Sequence, residues 1–170
     1  MFDAAKTTKS ERLRYGVGHS ALGWTAVVAS DRGIRAVLLE GEEPSEAFPD
    51  DVLVRDRSLD AVARGITDIA DLELDMHGTI FQVEVWRKLL DIPRGETWTY
   101  TQLAAALGRP RSARAVGAAC GQNRIGVLVP CHRVVRTDGS LAGYRWGLDV
   151  KRALLEAEGA LPEPRQAPAA

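Results

Sequence analysis

Apolar and polar residues alternate differently in the two halves of the chain, and the difference predicts strands first and helices later. Three early runs, residues 14–17, 24–29 and 34–39, are rich in apolar and β-branched residues. Turn sequences at residues 21–23 and 31–33 separate the runs. Short connections between runs of this kind predict an antiparallel meander.

The stretch that follows the meander predicts a loop and one helix. Residues 41–51 are acidic and contain two prolines, which is typical of a loop or a short helix. Within residues 58–70 the apolar positions have the i, i+3, i+4 spacing of an amphipathic helix. These positions are Leu59, Val62, Ala63, Ile66, Ile69 and Ala70. Residues 72–76 alternate, which predicts a short extended segment.

The second half opens on a helix with a clear start and stop. Thr79 and Gln82 have the spacing of a capping box and stand before a wide apolar face. That face comprises Phe81, Val85, Trp86, Leu89 and Leu90. Pro93 and Gly95 end the helix, because neither residue favours its continuation.

Two shorter helices come next. Thr99 and Gln102 repeat the capping-box spacing and open a helix through Leu107. A turn at residues 108–110 precedes a helix that Ser112 caps and that runs to about residue 120. Two short helices across a three- or four-residue glycine turn form a helix-turn-helix pattern. An ordinary helical hairpin fits the same pattern.

The last helix is predicted between Asp149 as its N-cap and Gly159 as its C-cap. Its apolar stripe comprises Val150, Ala153, Leu154 and Ala157. Glu158 stands at its end, where the helix dipole disfavours a carboxylate and where an exposed glutamate would be unremarkable. Residues 1–11 predict a disordered start, and residues 161–170, with three prolines, predict a flexible tail.

Composition narrows the class of protein. A chain of 170 residues predicts one or two small domains. Two cysteines, Cys120 and Cys131, cannot form a disulfide framework, which favours a reducing cytoplasm. Two cysteines and three histidines without ligand spacing argue against a metal site. Because the sequence shows neither a charged-then-apolar leader nor an apolar run of about 18 residues, we expect no export and no membrane span.

Charge is distributed unevenly along the chain. Residues 1–80 hold 9 Lys and Arg against 15 Asp and Glu, whereas residues 81–170 hold 13 against 8. A basic half beside an acidic half is a weak indication that the basic half binds nucleic acid.

The candidate chemistry lies in Pro130-Cys131-His132-Arg133-Val134. Apolar residues flank this stretch, so Cys131 is expected at the end of a buried segment. A thiolate is the reactive form of cysteine, and a neighbouring imidazole can generate it. The alternative is that Cys131 is a small core residue and His132 a solvated neighbour.

The predicted helix-turn-helix carries a second cluster. Arg109, Arg111 and Arg114 lie at its turn and on its second helix. The same helix is rich in small residues, namely Ala113, Ala115, Gly117, Ala118 and Ala119. A thin helix flanked by arginines is suited to a close approach to a DNA duplex.

Together, and in the order in which they occur along the chain, these features resemble the O6-alkylguanine-DNA alkyltransferases, which are single-use DNA repair proteins. The resemblance covers about residues 79–159 and is strongest to bacterial members, particularly the C-terminal half of adaptive-response proteins. Besides residues 130–134, it rests on residues 95–97, Tyr100, 103–104, 108–110, 114–117, Asn123, 143–147, Lys151 and 154–155.

The resemblance implies an α+β fold with two domains. It places an RNase-H-like supporting domain with an antiparallel sheet at residues 12–78. Residues 79–160 would then form a helical alkyltransferase domain with a winged-helix-like helix-turn-helix. It implies no cofactor, and double-stranded DNA containing alkylated guanine as the partner of a monomeric protein.

The resemblance also implies roles in the reaction. Cys131 would accept the alkyl group irreversibly, after His132 removes its proton through a water, and a buried Glu158 would orient His132. Tyr100 would contact the flipped base and neutralise the departing guanine. Asn123 would tie the helix-turn-helix to the active-site segment, although an Asx-turn alone also explains this residue.

Two further sets of roles concern the substrate. Val134, Tyr144 and Arg145 would line the guanine pocket, and Trp146 would narrow it or simply pack in the loop. The second helix would enter the minor groove, with Arg114 filling the space of the flipped nucleotide. As alternatives, Arg114 is a solvated helix residue and Tyr100 packs at a helix cap.

The function implied is direct repair of O6-alkylguanine by stoichiometric transfer to Cys131; activity on O4-alkylthymine stays open. Two other classes are considered. An alkyltransferase-like protein would bind the lesion without chemistry, but such proteins lack the reactive cysteine. A cysteine hydrolase would use Cys131 and His132, but it would leave the helix-turn-helix unexplained.

Overall fold

The predicted meander forms one side of the computed structural model, which describes residues 10–162. Strands β1 (Arg12–Ser20), β2 (Gly23–Ser30) and β3 (Gly33–Leu39) pair antiparallel in sequence order. Gly23 and Gly33 start the second and third strands with φ of 91° and 137°, a region that favours glycine. All three predicted strands are therefore confirmed.

The sheet has a fourth strand that the pattern did not indicate. The short helix α1 (Pro44–Ala47), one of the two predicted alternatives for this stretch, brings the chain back toward β1. Strand β4 (Val52–Arg55) then pairs parallel to β1, giving the order β3-β2-β1-β4. The purely antiparallel sheet is thus wrong at this edge, because a four-residue strand is too short to show a period.

The helix predicted over residues 58–70 is much shorter in the structure. One 3₁₀ turn (Arg57–Leu59) leads into α2 (Asp60–Arg64), and the helix ends at Gly65. Glycine weakens a helix interior, and Ile66 beyond it is buried without helical structure. Residues 72–76 run extended as predicted, with one parallel bridge between Leu74 and Ile34.

Four helices of the second half lie where capping and periodicity placed them. They are α3 (Ile80–Leu89), α4 (Tyr100–Ala106), α5 (Ala113–Gly121) and α6 (Leu148–Ala157). Both capping boxes are present. The backbone nitrogen of Gln82 donates to Thr79 Oγ1 at 3.2 Å, and the backbone nitrogen of Gln102 donates to Thr99 Oγ1 at 3.1 Å. A short parallel pair, β5 (Trp98–Thr99) and β6 (Val134–Val135), joins the start of α4 to the Cys131 segment.

Three helix ends differ from, or sharpen, the prediction. The connection between α4 and α5 spans six residues rather than three or four, because α4 ends at Ala106 in a Schellman turn with Gly108 at φ 70°. Ser112 stands at the N-cap of α5, but its side chain makes no capping bond. Gly147, not Asp149, is the N-cap of α6.

Asp149 instead lies in the first turn of α6, where the helix dipole favours a carboxylate. Gly159 ends α6 as predicted, with φ 67° and a Schellman pair of backbone bonds.

A shared apolar core joins the sheet to the helices. It includes Val27 and Val37 from the sheet, Leu89 from α3, Val116 from α5 and Val129 from the segment before Cys131. A smaller cluster covers the other face of the sheet. The α+β class is confirmed, while the RNase-H-like and winged-helix-like descriptions and the domain boundaries stay predictions.

The predicted terminal segments fall mostly outside the described residues, which exclude 1–9 and 163–170. Of the N-terminal segment, Glu11 is described, and its backbone nitrogen donates to Asp51 Oδ1 at 2.8 Å. Across residues 10–162 no helix has the length and apolarity needed to cross a bilayer.

Candidate active site

Cys131 lies at the start of a single 3₁₀ turn, Cys131–Arg133, that follows Pro130. The turn is anchored by backbone bonds from Cys131 to the Val129 carbonyl at 2.8 Å and from Arg133 to the Pro130 carbonyl at 3.0 Å. The thiol-bearing residue is 8% exposed and His132 is 1% exposed. The alternative of a solvated histidine is therefore excluded.

Asn123 lies between α5 and this turn and contacts the sulfur directly. Its Nδ2 donates to the Val129 carbonyl at 2.9 Å and to Cys131 Sγ at 3.2 Å. Its Oδ1 accepts from the Ile125 amide at 2.9 Å, which is an Asx-turn. Asn123 therefore fits both predicted roles at once. Its Nδ2 ties the active-site segment in place, and its Oδ1 forms the Asx-turn.

Burial governs the protonation of the thiol. It raises the pKa of Cys131, and the hydrogen bond from Asn123 offsets only part of that rise. At neutral pH the resting group is a thiol, so a base is required to produce the nucleophile.

His132 is held by Glu158. The distance from His132 Nε2 to Glu158 Oε1 is 2.9 Å, and the Glu158 side chain is only 7% exposed. Burial lowers the pKa of His132 despite the nearby carboxylate, so the ring is neutral at pH 7. With Nε2–H donating to Glu158, the lone pair lies on Nδ1, which has no partner within residues 10–162.

A cavity of about 450 Å³ opens in front of Cys131. It is lined by Tyr100, Gly117, Cys120, Gly121, Cys131, Ala142, Gly143, Tyr144 and Arg145. The cavity therefore lies between helix α5 and the loop at residues 142–145. The thiol shares its wall with the helix whose composition suits an approach to DNA.

Two of the four predicted pocket residues line this cavity, and two do not. Tyr144 and Arg145 are in the wall. Val134 is fully buried beneath it, and its carbonyl accepts a hydrogen bond from Lys151 Nζ at 2.6 Å. Trp146 packs edge-on behind Tyr144, with ring centroids 5.5 Å apart, because its indole N–H donates to Glu42.

Tyr100 begins helix α4 and lines the same cavity. Burial is the main cause that raises its pKa to about 12, so its hydroxyl keeps its proton at neutral pH. A Cβ added to Gly117 would lie 3.7 Å from the Tyr100 ring, so α5 and the tyrosine meet at ordinary contact distance.

The outer face of α5 is exposed and thin. Arg114, Ala115 and Ala118 face solvent, whereas Ala113 and Gly117 are partly buried. Arg111 and Arg114 form no ion pair with any residue from 10 to 162.

Arg109 differs from the other two arginines of this cluster. It pairs with Glu84 at 2.9 Å, and its guanidinium lies 5.2 Å from the Phe81 ring centroid. These contacts hold Arg109 on α3, because both of its partners belong to that helix.

Comparison with known proteins identifies the family of this chain. Residues 80–160 match the family profile described as 6-O-methylguanine DNA methyltransferase, DNA binding domain. A methylated-DNA–protein-cysteine methyltransferase of Methanosarcina barkeri is 38% identical over 153 residues, covering 86% of this chain and 97% of the relative. The chain belongs to the O6-methylguanine-DNA methyltransferase family.

Further relatives place this chain within the family. The bifunctional transcriptional activator/DNA repair enzyme Ada of Escherichia coli is 39% identical over 161 residues, and the match spans 86% of this chain but 45% of Ada. The crystal structure of Mycobacterium tuberculosis OGT in complex with DNA superposes with a TM-score of 0.73 at 35% identity, covering 88% of this chain and 94% of that one. The family resemblance is confirmed, and the match to Ada agrees with the predicted likeness to adaptive-response proteins.

Two residues of the family site have contacts that the sequence did not indicate. Arg133 donates to both Glu158 oxygens, at 2.9 and 3.0 Å, and to the Ile92 carbonyl at 2.7 Å. Burial would raise the pKa of Glu158, but the bonds from His132 and Arg133 lower it to about 2. The sequence motif gives no role for Arg133, because its partner Glu158 lies 25 residues away.

Lys151 is the second. It is fully buried, and its Nζ donates to the carbonyls of Val134 at 2.6 Å and Ala142 at 3.2 Å. Burial lowers its pKa, so the two carbonyls are what keep the amine satisfied. Helix α6 thereby ties the segment after Cys131 to Ala142, the first residue of the loop that lines the cavity. Within the described residues no three His, Cys, Asp or Glu side chains converge as metal ligands.

Proposed function

We propose that this protein repairs DNA by a single irreversible transfer of an alkyl group from O6-alkylguanine to Cys131 Sγ. The observation that carries the proposal is that Cys131 shares a cavity with Gly117 and Gly121 of α5. A nucleophile that opens beside the thin, arginine-bearing helix suits a substrate delivered by DNA. A hydrolase site would need no such neighbour.

The proposed partner is double-stranded DNA, bound by one copy of the protein. The family membership and the DNA complex of the M. tuberculosis relative support this partner. Helix α5 enters the minor groove, where small residues allow close approach and exposed arginines contact phosphates. Arg114 fills the space left when the alkylated guanine flips into the cavity.

The first chemical step is proton transfer. His132 is neutral and carries its lone pair on Nδ1, and Glu158 stabilises the imidazolium that forms. The thiol proton of Cys131 passes to His132 through a water. Asn123 donates to the sulfur and so favours the thiolate over the thiol.

The second step is an in-line displacement at the alkyl carbon. A bond forms between Cys131 Sγ and that carbon while the bond from the carbon to guanine O6 breaks. The electron pair moves onto the guanine, and the Tyr100 hydroxyl donates a hydrogen bond to its ring nitrogen and so helps neutralise it. The departing guanine takes up one proton from water, and the His132 imidazolium returns the thiol proton to water. The product is a thioether, which the site has no group to cleave, so each molecule acts once.

Two features support the cellular setting that we propose. The chemistry needs a free thiol, and both cysteines are unpaired in the described structure. We therefore place the protein in the reducing cytoplasm.

The test is intact-protein mass after incubation with a duplex containing O6-methylguanine. We expect a gain of one methyl group, about 14 Da, on Cys131 and none on Cys120, whose pKa burial raises to about 12. Cys131→Ser should bind the duplex without any gain. Binding by the wild type without a mass gain would favour a lesion-binding protein, and multiple turnover would favour a hydrolase.

A further inference from the structure

Glu42 is a carboxylate of the sheet half that reaches the pocket loop, residues 143–146. It follows β3 and a turn at Gly41, where φ is 90°. Its Oε1 accepts from Arg145 Nη2 at 2.6 Å and Nε at 3.2 Å, and its Oε2 accepts from Trp146 Nε1 at 2.6 Å. One side chain thus bonds two adjacent residues that are more than 100 positions away.

These bonds are the side-chain polar contacts that hold the loop. Within residues 10–162, Arg145 and Trp146 make no side-chain hydrogen bond or ion pair with any residue other than Glu42. The Tyr144 hydroxyl has no partner in the same range. The position of residues 143–146 therefore depends on Glu42, on packing, and on the bond from Lys151 Nζ that holds the preceding Ala142.

Trp146, which Glu42 holds, packs against Tyr144 in the cavity wall. Trp146 lies against Gly126 so closely that a Cβ on this glycine would be 2.5 Å from the indole. The other side of Trp146 meets Tyr144, with ring planes at 74°, and Tyr144 forms the cavity wall together with Arg145. Holding the indole therefore holds the tyrosine that faces Cys131.

We propose that Glu42 is a positioning residue that sets the width of the alkyl pocket and so favours small alkyl groups. This inference rests on the proposed function. The clamp, defined as Glu42, Arg145 and Trp146, keeps Tyr144 close to the reacting carbon. A pocket held this narrow places a methyl group in line with the sulfur, whereas a bulky adduct must push the loop outward.

The exposure of the clamp makes its role separable from folding. The Glu42 and Arg145 side chains are 26% and 33% exposed, and an ion pair of this kind adds little to stability. Although burial opposes it, bonding from Trp146 and Arg145 lowers the pKa of Glu42, so the carboxylate is charged at neutral pH. Removing it should loosen the loop and leave the rest of the fold intact.

The experiment compares single-turnover transfer from two duplexes, one with O6-methylguanine and one with O6-benzylguanine. In Glu42→Ala we expect methyl transfer to slow about tenfold and benzyl transfer to hold or rise, so that the ratio of the two rates falls at least tenfold. Glu42→Gln keeps a hydrogen-bond acceptor, so its ratio of methyl to benzyl transfer rates should lie between those of wild type and Glu42→Ala. Glu43→Ala is the matched control, because Glu43 is exposed and its side chain makes no hydrogen bond or ion pair in the described range.

Hydrogen exchange at residues 143–147 provides a readout that is independent of alkyl transfer. Exchange should accelerate in Glu42→Ala and not in Glu43→Ala. A rate ratio equal to that of Glu43→Ala would overturn the inference while leaving the proposed function in place. Wild-type protein that takes an alkyl group from neither duplex would overturn the proposed function, and unchanged exchange in Glu42→Ala would overturn the clamp itself.

Discussion

Behind Cys131, His132 and Glu158 are buried and bonded to each other, whereas in front of it Arg111, just before α5, and Arg114, on α5, face solvent. We call the first region the relay side, comprising His132, Arg133 and Glu158. The second is the open side, comprising the cavity, the exposed face of α5 and the connection at residues 107–112. On the relay side Glu158 accepts three short bonds from its two neighbours. On the open side Arg111 and Arg114 have no ionic partner in the described chain.

The difference reflects what each region must do. Buried charges are tolerated only when they are paired, and pairing also fixes their geometry before any substrate arrives. Solvated arginines have given up no hydration and can exchange counterions for phosphates when DNA binds. Substitutions on the relay side should therefore change the transfer rate, and those on the open side should change DNA engagement.

The largest effect is expected for Glu158→Gln. The amide keeps size and hydrogen bonding but removes the charge that stabilises the His132 imidazolium. Loss of this help to the base should slow single-turnover transfer roughly 10³-fold at neutral pH and move the pH–rate profile toward alkaline pH. DNA affinity, measured on a Cys131→Ser background, should hardly change. A collapse in affinity with an unchanged rate would make Glu158 a support of the open side.

The same variant should change the acid side of the stability curve. The pKa of Glu158 is lowered from 4.5 to about 2, so its contribution to folding is present above pH 4.5 and is lost as pH falls toward 2. Urea unfolding from pH 7 to pH 2 should show Glu158→Gln less stable at neutral pH, with the gap to wild type closing below pH 4.5. A constant gap would mean that the carboxylate is not stabilised by its bonds from His132 and Arg133.

The sequence predicted elements best where local rules decide them. Capping boxes at Thr79 and Thr99 and the glycine at position 159 act within a few residues, and the structure has all three. Strand β4 is not predicted and the predicted length of α2 is wrong, since pairing with β1 decides the first and Gly65 ends the second. Tertiary context outweighs a local pattern at such positions.

The site residues also divide into those that the sequence identifies and those whose roles depend on distant partners. The motif around Cys131 identified the family, and the resemblance pointed to Glu158 and Asn123. Arg133, Lys151 and Glu42 acquire their roles from partners that no local pattern links to them; the bond from Arg145 to Glu42 spans 103 positions. Nothing in the periodicity of either segment carries information about such a distant contact.

Asn123 lies between α5 and the Cys131 turn, and Asn123→Asp tests its bond to the sulfur. The substitution keeps the acceptor for the Ile125 amide but replaces the donor to Cys131 Sγ with a negative charge. The charge should raise the pKa of the thiol further, because it opposes the thiolate. We expect transfer to slow roughly 10²-fold at pH 7 and to recover partly at high pH. A rate that falls equally at all pH values would indicate a misplaced turn instead.

On the open side, Arg114→Ala should separate flipping from chemistry. Without the side chain, about 2 kcal/mol of unstacking is uncompensated, which corresponds to transfer from duplex DNA about 30-fold slower. Free O6-alkylguanine base needs no flipping, so its reaction should stay within about twofold of wild type. Equal losses on both substrates would mean that Arg114 supports the transfer step or the fold rather than base flipping.

The smallest effect, and the finest test of the open side, comes from Arg111 and Arg109. Both belong to the predicted DNA-binding cluster, but Arg109 is bonded to Glu84 and stacked on Phe81, whereas Arg111 is not engaged in this way. A phosphate that recruits Arg109 must compete with those contacts, so its removal should cost less affinity. We expect Arg111→Ala to weaken duplex binding about fivefold and to lower the salt dependence by about one counterion, and Arg109→Ala to do about half as much.

Glu84→Gln should release Arg109 and strengthen duplex binding slightly. If Arg109→Ala weakened binding more than Arg111→Ala, the ion pair with Glu84 would be orienting the arginine toward DNA rather than withholding it.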